Sequence, residues 1–203
     1  MKPIEKPMLF SAAMVLAILA GNKTQTRRII KPQPAQREGG ISFCHHGDAM
    51  WSAIGLEGDR ESYKCPHPVG SLIWAKETFL YRAQKTAVLF RAECDQESAA
   101  GLGGMYGGWK PSIFMPRWAS RITLEVTGVR VERLQDISEA DAKAEGAMFW
   151  WNSLSRREQE ETYSGVGHGP RGCFHDLVES VHGAGYWKRN PFVWAYAFRR
   201  VKL

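Results

Sequence analysis

Alternation of apolar and polar residues predicts several strands in this chain. The clearest run covers residues 121–127, where three apolar residues alternate strictly with polar ones. A period of two is typical of a strand that buries one face. We expect a β-bulge at Gly128, before the alternation resumes over residues 129–131.

Three further segments have the character of strands. Residues 71–78 form an apolar run, and residues 87–93 are a candidate hairpin partner for it. The last strand covers residues 192–201 and carries large aromatic residues at every second position, so that they lie on one face: Phe192, Trp194, Tyr196 and Phe198.

Helical signals are fewer. Ser11 as an N-cap and Gly21 as a C-terminal glycine predict a short helix over residues 12–20. Ser138, with an acidic residue three positions later, predicts a helix that ends at Gly146. The apolar spacing over residues 174–181 predicts another.

The remaining segments read as irregular. Residues 35–71 are rich in Gly, His and charge and predict a long excursion. Five glycines over residues 101–108 predict a flexible loop. Short strands with about three helices indicate an α+β domain with a small barrel or curled sheet.

Composition supports one globular domain. The chain has 203 residues, of which 44% are hydrophobic, and this excludes a wholly disordered protein. Its net charge of +6 fits an anionic partner such as nucleic acid, or scattered solubilising charge. The 8 Trp exceed the roughly two or three of average usage and indicate a thick core or a pocket for a flat ligand.

The first 21 residues also resemble a secretory signal, with early lysines and a short apolar stretch. Glu5 and Pro7 do not suit a basic leader, so we favour a core helix and a cytoplasmic protein. No segment has the apolar length to cross a membrane.

The four cysteines permit two disulfides or a zinc site, because Cys65/His67 and Cys173/His175 are close pairs. The spacing differs from that of zinc knuckles, so we favour reduced thiols and no metal.

The densest polar cluster is GNKTQTRR, residues 21–28, directly after the first predicted helix. Its cations and hydroxyls suit an anion or a polar ligand. The alternative is a solvated loop with a basic helix end.

This string resembles the G-x-K-x-x-x-x-R signature of the ASCH domain, a PUA-like β-barrel superfamily associated with RNA. Gly21, Lys23 and Arg28 occupy the fixed positions. Thr26 resembles the bacterial N4-acetylcytidine amidohydrolase branch, whose downstream acidic segment is similar to residues 137–145. The resemblance implies Lys23, Thr26 and Glu145 as the catalytic residues.

A longer similarity links the chain to larger ASCH-like proteins of phages and prophages. It rests on the opening LFSAAMVLAILAGNKTQTRR, on PRWASRITLEVTGVRVERLQDISEADA and on the ending GYWKRNPFVW. It implies one domain over residues 1–203, a PUA-like small β-barrel with flanking helices and with insertions at about residues 35–70 and 148–190.

The chemistry that the resemblance implies is hydrolysis of an N4-acyl group from cytidine or a related nucleoside. Thr26 would be the nucleophile and Lys23 its base, if burial lowers the lysine pKa. Glu145 would orient Lys23 or protonate the leaving amine, and Arg27 or Arg28 would bind an oxyanion or a phosphate. This scheme needs no cofactor.

Four further residues are candidates for substrate binding. Trp74 and Glu77 lie on a strand that would flank the cleft of a PUA-like barrel, where Trp74 could stack on a base or belong to the core. Arg117 and Arg121 beside the best strand suit single-stranded RNA, or are ordinary arginines at a strand entrance.

Two other functions fit the same resemblance. One is a non-catalytic module that binds RNA or a modified base. The other is an ASCH-type ribonuclease, although no His pair or carboxylate cluster in the sequence supports it. The expected partner is a modified nucleoside or single-stranded RNA, and the oligomeric state is open.

Overall fold

The computed structural model describes residues 3–35, 41–47, 49–55, 60–81, 87–105 and 107–201. The α+β class is confirmed. The sheets in these ranges are open, so the closed PUA-like barrel stays a prediction.

Ten strands make up three sheets in the described part of the chain. In chain order they are β1 (Glu5–Leu9), β2 (Gln25–Ile29), β3 (Ile41–His45), β4 (Met50–Gly55), β5 (Arg60–Lys64), β6 (Leu72–Lys76), β7 (Phe79–Tyr81), β8 (Val88–Phe90), β9 (Thr123–Arg133) and β10 (Phe192–Val201).

Seven α-helices accompany them over the same ranges. They are α1 (Ala12–Leu19), α2 (Gln96–Met105), α3 (Glu139–Ala144), α4 (Ala147–Ser153), α5 (Arg156–Thr162), α6 (Pro170–His182) and α7 (Tyr186–Arg189). None of the helices described is long and apolar enough to span a bilayer.

The central sheet has the order β1-β6-β9-β10-β2. The β1–β6 pair is parallel, and the other pairs are antiparallel. Ala197 pairs with Gly128 and Phe198 pairs with Val126, so Thr127 is the extra residue of a bulge. The predicted bulge beside Gly128 is confirmed.

The predicted excursion over residues 35–71 contains an antiparallel sheet, β3-β4-β5. It packs on the central sheet through aromatic contacts, with ring centroids 5.0 Å apart for Phe43 and Phe192 and 5.7 Å apart for Trp51 and Trp194. These strands were not predicted within the excursion, because each has at most 6 residues and β5 carries the charged residues Arg60, Glu61 and Lys64. In β5, Tyr63 alone is buried.

Other predictions differ in detail. Residues 88–90 do form a hairpin strand, but their partner is β7 and not the strand β6. The prediction of a flexible loop over residues 101–108 was wrong for residues 101–105, which form the end of α2. Two side-chain contacts hold this helix: Asp95 accepts from the N–H of Ser98 at 2.7 Å, and the Trp109 indole donates to the Ala99 carbonyl at 2.7 Å.

The helices predicted from caps are confirmed. Ser11 caps α1 by accepting from the N–H of Met14, and Ser138 caps α3 by accepting from the N–H of Asp141. The helices α3, α4 and α6 bury their apolar residues on the face of β10 that carries Val193. The opposite face, with its alternating aromatic residues, belongs to the core between the two larger sheets.

Candidate functional site

The polar cluster after α1 ends in the edge strand β2, which pairs with β10. Thr26 lies opposite Tyr196, and Arg28 lies opposite Trp194. Because successive residues of a strand face opposite sides, Thr26 and Arg28 share the aromatic face of the sheet, whereas Arg27 faces the helices. The segment is an extended strand from Gln25 onward.

Lys23 lies before this strand and is 2% exposed. Its Nζ donates to the main-chain carbonyl of Glu145 at 2.9 Å and also contacts the Glu145 carboxylate. The structure thus brings together two of the three residues that the ASCH resemblance implies, although 122 positions separate them.

A tight approach between α1 and the turn after α3 makes this contact possible. Thr24 N–H donates to the Ala144 carbonyl at 2.8 Å, which ties the two segments together. Gly146 has φ +80, and a Cβ there would lie 3.2 Å from Ala17 Cβ and 3.3 Å from Lys23 Cβ. Only glycine fits this combination of backbone angle and close packing without strain.

Glu145 is shared between two buried cations. Arg27 Nη1 lies 3.3 Å from Glu145 Oε1, and Arg27 Nε lies 2.7 Å from Glu132 Oε1. Asp141 completes the carboxylate group around Arg27, at 3.6 Å from Nη2. These contacts fix the Glu145 carboxylate from both sides.

Burial governs the protonation of Lys23. Loss of water around the ammonium lowers the pKa of Lys23, and the nearby charges of Arg28 and Arg27 lower it further, while Glu145 opposes the shift. A lowered pKa is the condition under which a lysine can accept a proton during a reaction.

A cavity of about 120 Å³ adjoins this cluster, and Thr26 and Glu145 both contribute to its wall. It meets a larger cleft of about 840 Å³, in which Trp194, Tyr196 and His67 take part. Arg28 is one of the residues that line both spaces, with Met14, Ile29, Val181 and His182. The two spaces are therefore neighbours, with Arg28 at their junction.

His67 is a residue of the cleft that the sequence did not indicate as a binding residue. Its ring lies edge-on to Tyr196, with centroids 5.6 Å apart. Burial, with smaller effects of Lys6 and Arg28, lowers the pKa of His67 to about 4, so the imidazole is neutral at pH 7. The sequence signal was the Cys65/His67 pair, which we had considered only as a metal motif.

The other predicted substrate-binding residues lie elsewhere. Glu77 is 2% exposed and pairs with Arg121 through two contacts, of 2.9 and 3.0 Å. Arg117 pairs with Glu5 at 2.6 Å. Trp74 is half-buried beside Lys76, whose Nζ lies 5.5 Å from the ring centroid. None of these four predicted residues lines the cavity or the cleft.

Comparisons with known proteins add little. No family model matches the chain, and no curated protein matches it. One solved structure is similar, the crystal structure of protein EF3133 from Enterococcus faecalis V583, of the DUF984 family model. It is 12% identical, covers 99% of this chain and 81% of its own chain, and has a TM-score of 0.38. This score is too low to establish a shared fold, so the ASCH resemblance rests on the sequence motifs.

Proposed function

We propose that this protein is an amidohydrolase that removes the acyl group from an N4-acylated cytidine or a related modified nucleoside, on a PUA-like domain. The proposal rests on the buried contact between Lys23 and Glu145 beside a cavity that Thr26 also lines. Amide hydrolysis needs a nucleophile, a proton carrier and a group that stabilises the oxyanion. This cluster contains candidates for all three.

In the proposed reaction, Lys23 first gives a proton to Glu145, and Thr26 Oγ1 then attacks the acyl carbonyl carbon while its own proton passes to the Lys23 amine. The C–N4 bond then breaks, N4 takes a proton from the Lys23–Glu145 pair, and the acyl group stays on Thr26 as an ester. A water molecule gives a proton to the same pair and attacks the ester carbonyl carbon. The bond from this carbon to Thr26 Oγ1 then breaks, Thr26 takes the proton back from the pair, and the acyl group leaves as the carboxylic acid, which loses its proton to solvent.

The arginines have separate roles in this scheme. Arg28 lines both the cavity and the cleft, and its guanidinium can donate to the developing oxyanion or to another part of the substrate. Arg27 is occupied by carboxylates on the helix side and acts by holding Glu145. Arg27 is therefore a positioning residue.

The test is release of cytidine from N4-acetylcytidine by the purified protein, followed by chromatography. Thr26→Ser should retain part of the activity, because it keeps the hydroxyl. Thr26→Val, which has nearly the same shape, should lower kcat by at least about a thousandfold. Lys23→Met should have a similar effect, whereas Lys143→Met, an exposed lysine on α3, should leave kcat unchanged.

Unmodified single-stranded RNA incubated in parallel separates the alternatives. Intact RNA that binds with a strong dependence on salt, together with unreacted N4-acetylcytidine, would replace the proposal with a binding module. Shortened RNA would indicate a ribonuclease. Full activity in Thr26→Val would contradict the assignment of the nucleophile.

A further inference from the structure

The cleft that adjoins the cavity carries three cationic side chains. Its residues include Arg28, Lys31 and Lys76, and no Asp or Glu lies among them in the described part of the chain. Arg28 and Lys76 bind main-chain oxygens, of Leu9 and of Ile113 respectively. Within the cleft no described carboxylate faces these charges, and Glu145 on the wall of the adjoining cavity is the carboxylate that acts on Arg28. An excess of positive charge is the usual electrostatic character of an anion site.

A side-chain hydrogen bond between the two edge strands of the central sheet, β2 and β1, brings two of these cations together. Arg28 Nη2 donates to the Leu9 carbonyl at 2.7 Å, and Leu9 is the register partner of Lys76 in the β1–β6 pair. Lys31 follows two residues after the end of β2, the strand that carries Arg28. Arg28 and Lys76 therefore approach one another across the two sheet edges, and Arg28 is held by the Leu9 carbonyl and by Phe10, whose ring centroid lies 5.3 Å from the guanidinium carbon.

A second observation points to a ligand in the same cleft. His67 is 7% exposed, and its Nδ1 has no hydrogen-bond partner among the residues that the structure describes. A buried polar atom without a partner costs about 1–3 kcal/mol, so such atoms are rare unless water or a ligand meets them. A neutral imidazole can donate from one ring nitrogen and accept at the other, which suits the polar edge of a nucleobase or a ribose hydroxyl.

We infer that the cleft binds a phosphate ester at Arg28, Lys31 and Lys76, so that the substrate is a cytidine that carries phosphate and not the free nucleoside. This inference rests on the proposed function and deepens it. The volume of about 840 Å³ lies in the range of small-ligand pockets and accommodates a nucleotide. The phosphate belongs either to a mononucleotide or to the strand of a short RNA.

Calorimetric binding of reaction products tests the inference without requiring catalysis. The ligands are cytidine, cytidine 5′-monophosphate and a cytidine trinucleotide RNA, at low ionic strength. We expect at least one phosphorylated ligand to bind on the order of tenfold more tightly than cytidine, because its contacts to the cations are charge-assisted. The gain should shrink at high salt.

Substitutions of the cleft lysines then test whether the gain in affinity for phosphorylated ligands depends on the cleft. The double variant Lys31→Gln/Lys76→Gln should bind all three ligands with the affinity of cytidine, whereas Lys31→Arg/Lys76→Arg should keep the gain. Lys188→Gln, an exposed lysine on α7, is the matched control and should behave like the native protein. A far-UV spectrum establishes that each variant is folded.

The outcomes separate this inference from the proposed function. If the monophosphate and the trinucleotide both bind no better than cytidine, the inference is overturned even when N4-acetylcytidine is hydrolysed. If the gain is present and depends on the lysines but no acyl group is released, the inference stands and the proposed function fails. A gain for the trinucleotide alone assigns the phosphate to an RNA strand.

Discussion

Lys23 and Glu145 are joined twice, once through the Glu145 main-chain carbonyl at 2.9 Å and once through its carboxylate. The main-chain contact holds the lysine even when the carboxylate is changed. The carboxylate, in turn, is also held by Arg27 at 3.3 Å. Each member of the pair can therefore be removed with a different consequence for the other.

Removal of the carboxylate should cost more stability than removal of the amine. Glu145→Gln leaves two buried cations with less compensation, and loss of one partner of a buried ion pair typically costs about 3–5 kcal/mol. Lys23→Met leaves Glu145 paired with Arg27, so we expect a loss of about 1–2 kcal/mol. Urea denaturation of both variants measures the free energies of unfolding. Equal losses would contradict the shared role of Glu145.

Gly146 sets the distance between α1 and the turn that carries Glu145. Gly146→Ala should lower the free energy of unfolding by about 1–3 kcal/mol, because alanine is strained at φ +80 and its Cβ would press on Lys23. Gly101→Ala is the control, since Gly101 lies within α2 and no atom of the described residues lies within 4 Å of the added Cβ. It should gain up to about 1 kcal/mol of stability. Thermal unfolding of the two variants measures the difference. If Gly146→Ala leaves the stability unchanged, the turn is not tightly packed.

Strands that bury one face, and helices that begin at a capping serine, could be predicted from the sequence. Strict alternation defined the start of β9, and the serine at position 138 defined the start of α3. The strands β3, β4 and β5 were not predicted, because each has at most 6 residues and the apolar residues of β3 and β4 do not alternate strictly with polar ones. Their aromatic residues pack against β10, and a sequence pattern does not contain that partner.

The site was predicted unevenly for a similar reason. The motif indicated Lys23 and Glu145, which do meet, but their contact depends on a long-range approach that spacing alone does not reveal. Glu77 and Arg121 were plausible as binding residues because charged side chains beside a strand often face a cleft. The pairing partner of each was unknown from the sequence, and they pair with one another.

A substitution in the Glu77–Arg121 pair can therefore show whether these two residues stabilise the fold or bind substrate. Arg121→Ala leaves the buried Glu77 carboxylate without its two contacts and should cost about 3 kcal/mol of stability. The KM for N4-acetylcytidine should change less than twofold, because neither residue lines the cleft or the cavity. Arg28→Ala, measured in the same assay, should raise KM or lower kcat. A large effect of Arg121→Ala on KM in a folded protein would restore the binding role.

The neutral His67 makes stability depend on pH in a defined window. Its pKa is about 4 in the folded chain and 6.5 in the unfolded chain, so between these values the unfolded chain binds a proton that the native protein does not. The free energy of unfolding should therefore rise with pH through this window, by at most about 1.4 kcal/mol per pH unit from this group. Urea denaturation at pH 4.5, 5.5 and 6.5 measures the slope.

His67→Gln should flatten that slope, because glutamine does not titrate, and His46→Gln, at an exposed histidine, should leave it as in the native protein. An unchanged slope in His67→Gln would mean that the pKa of His67 is the same in the folded and the unfolded chain, and would contradict a buried imidazole that stays neutral in this window.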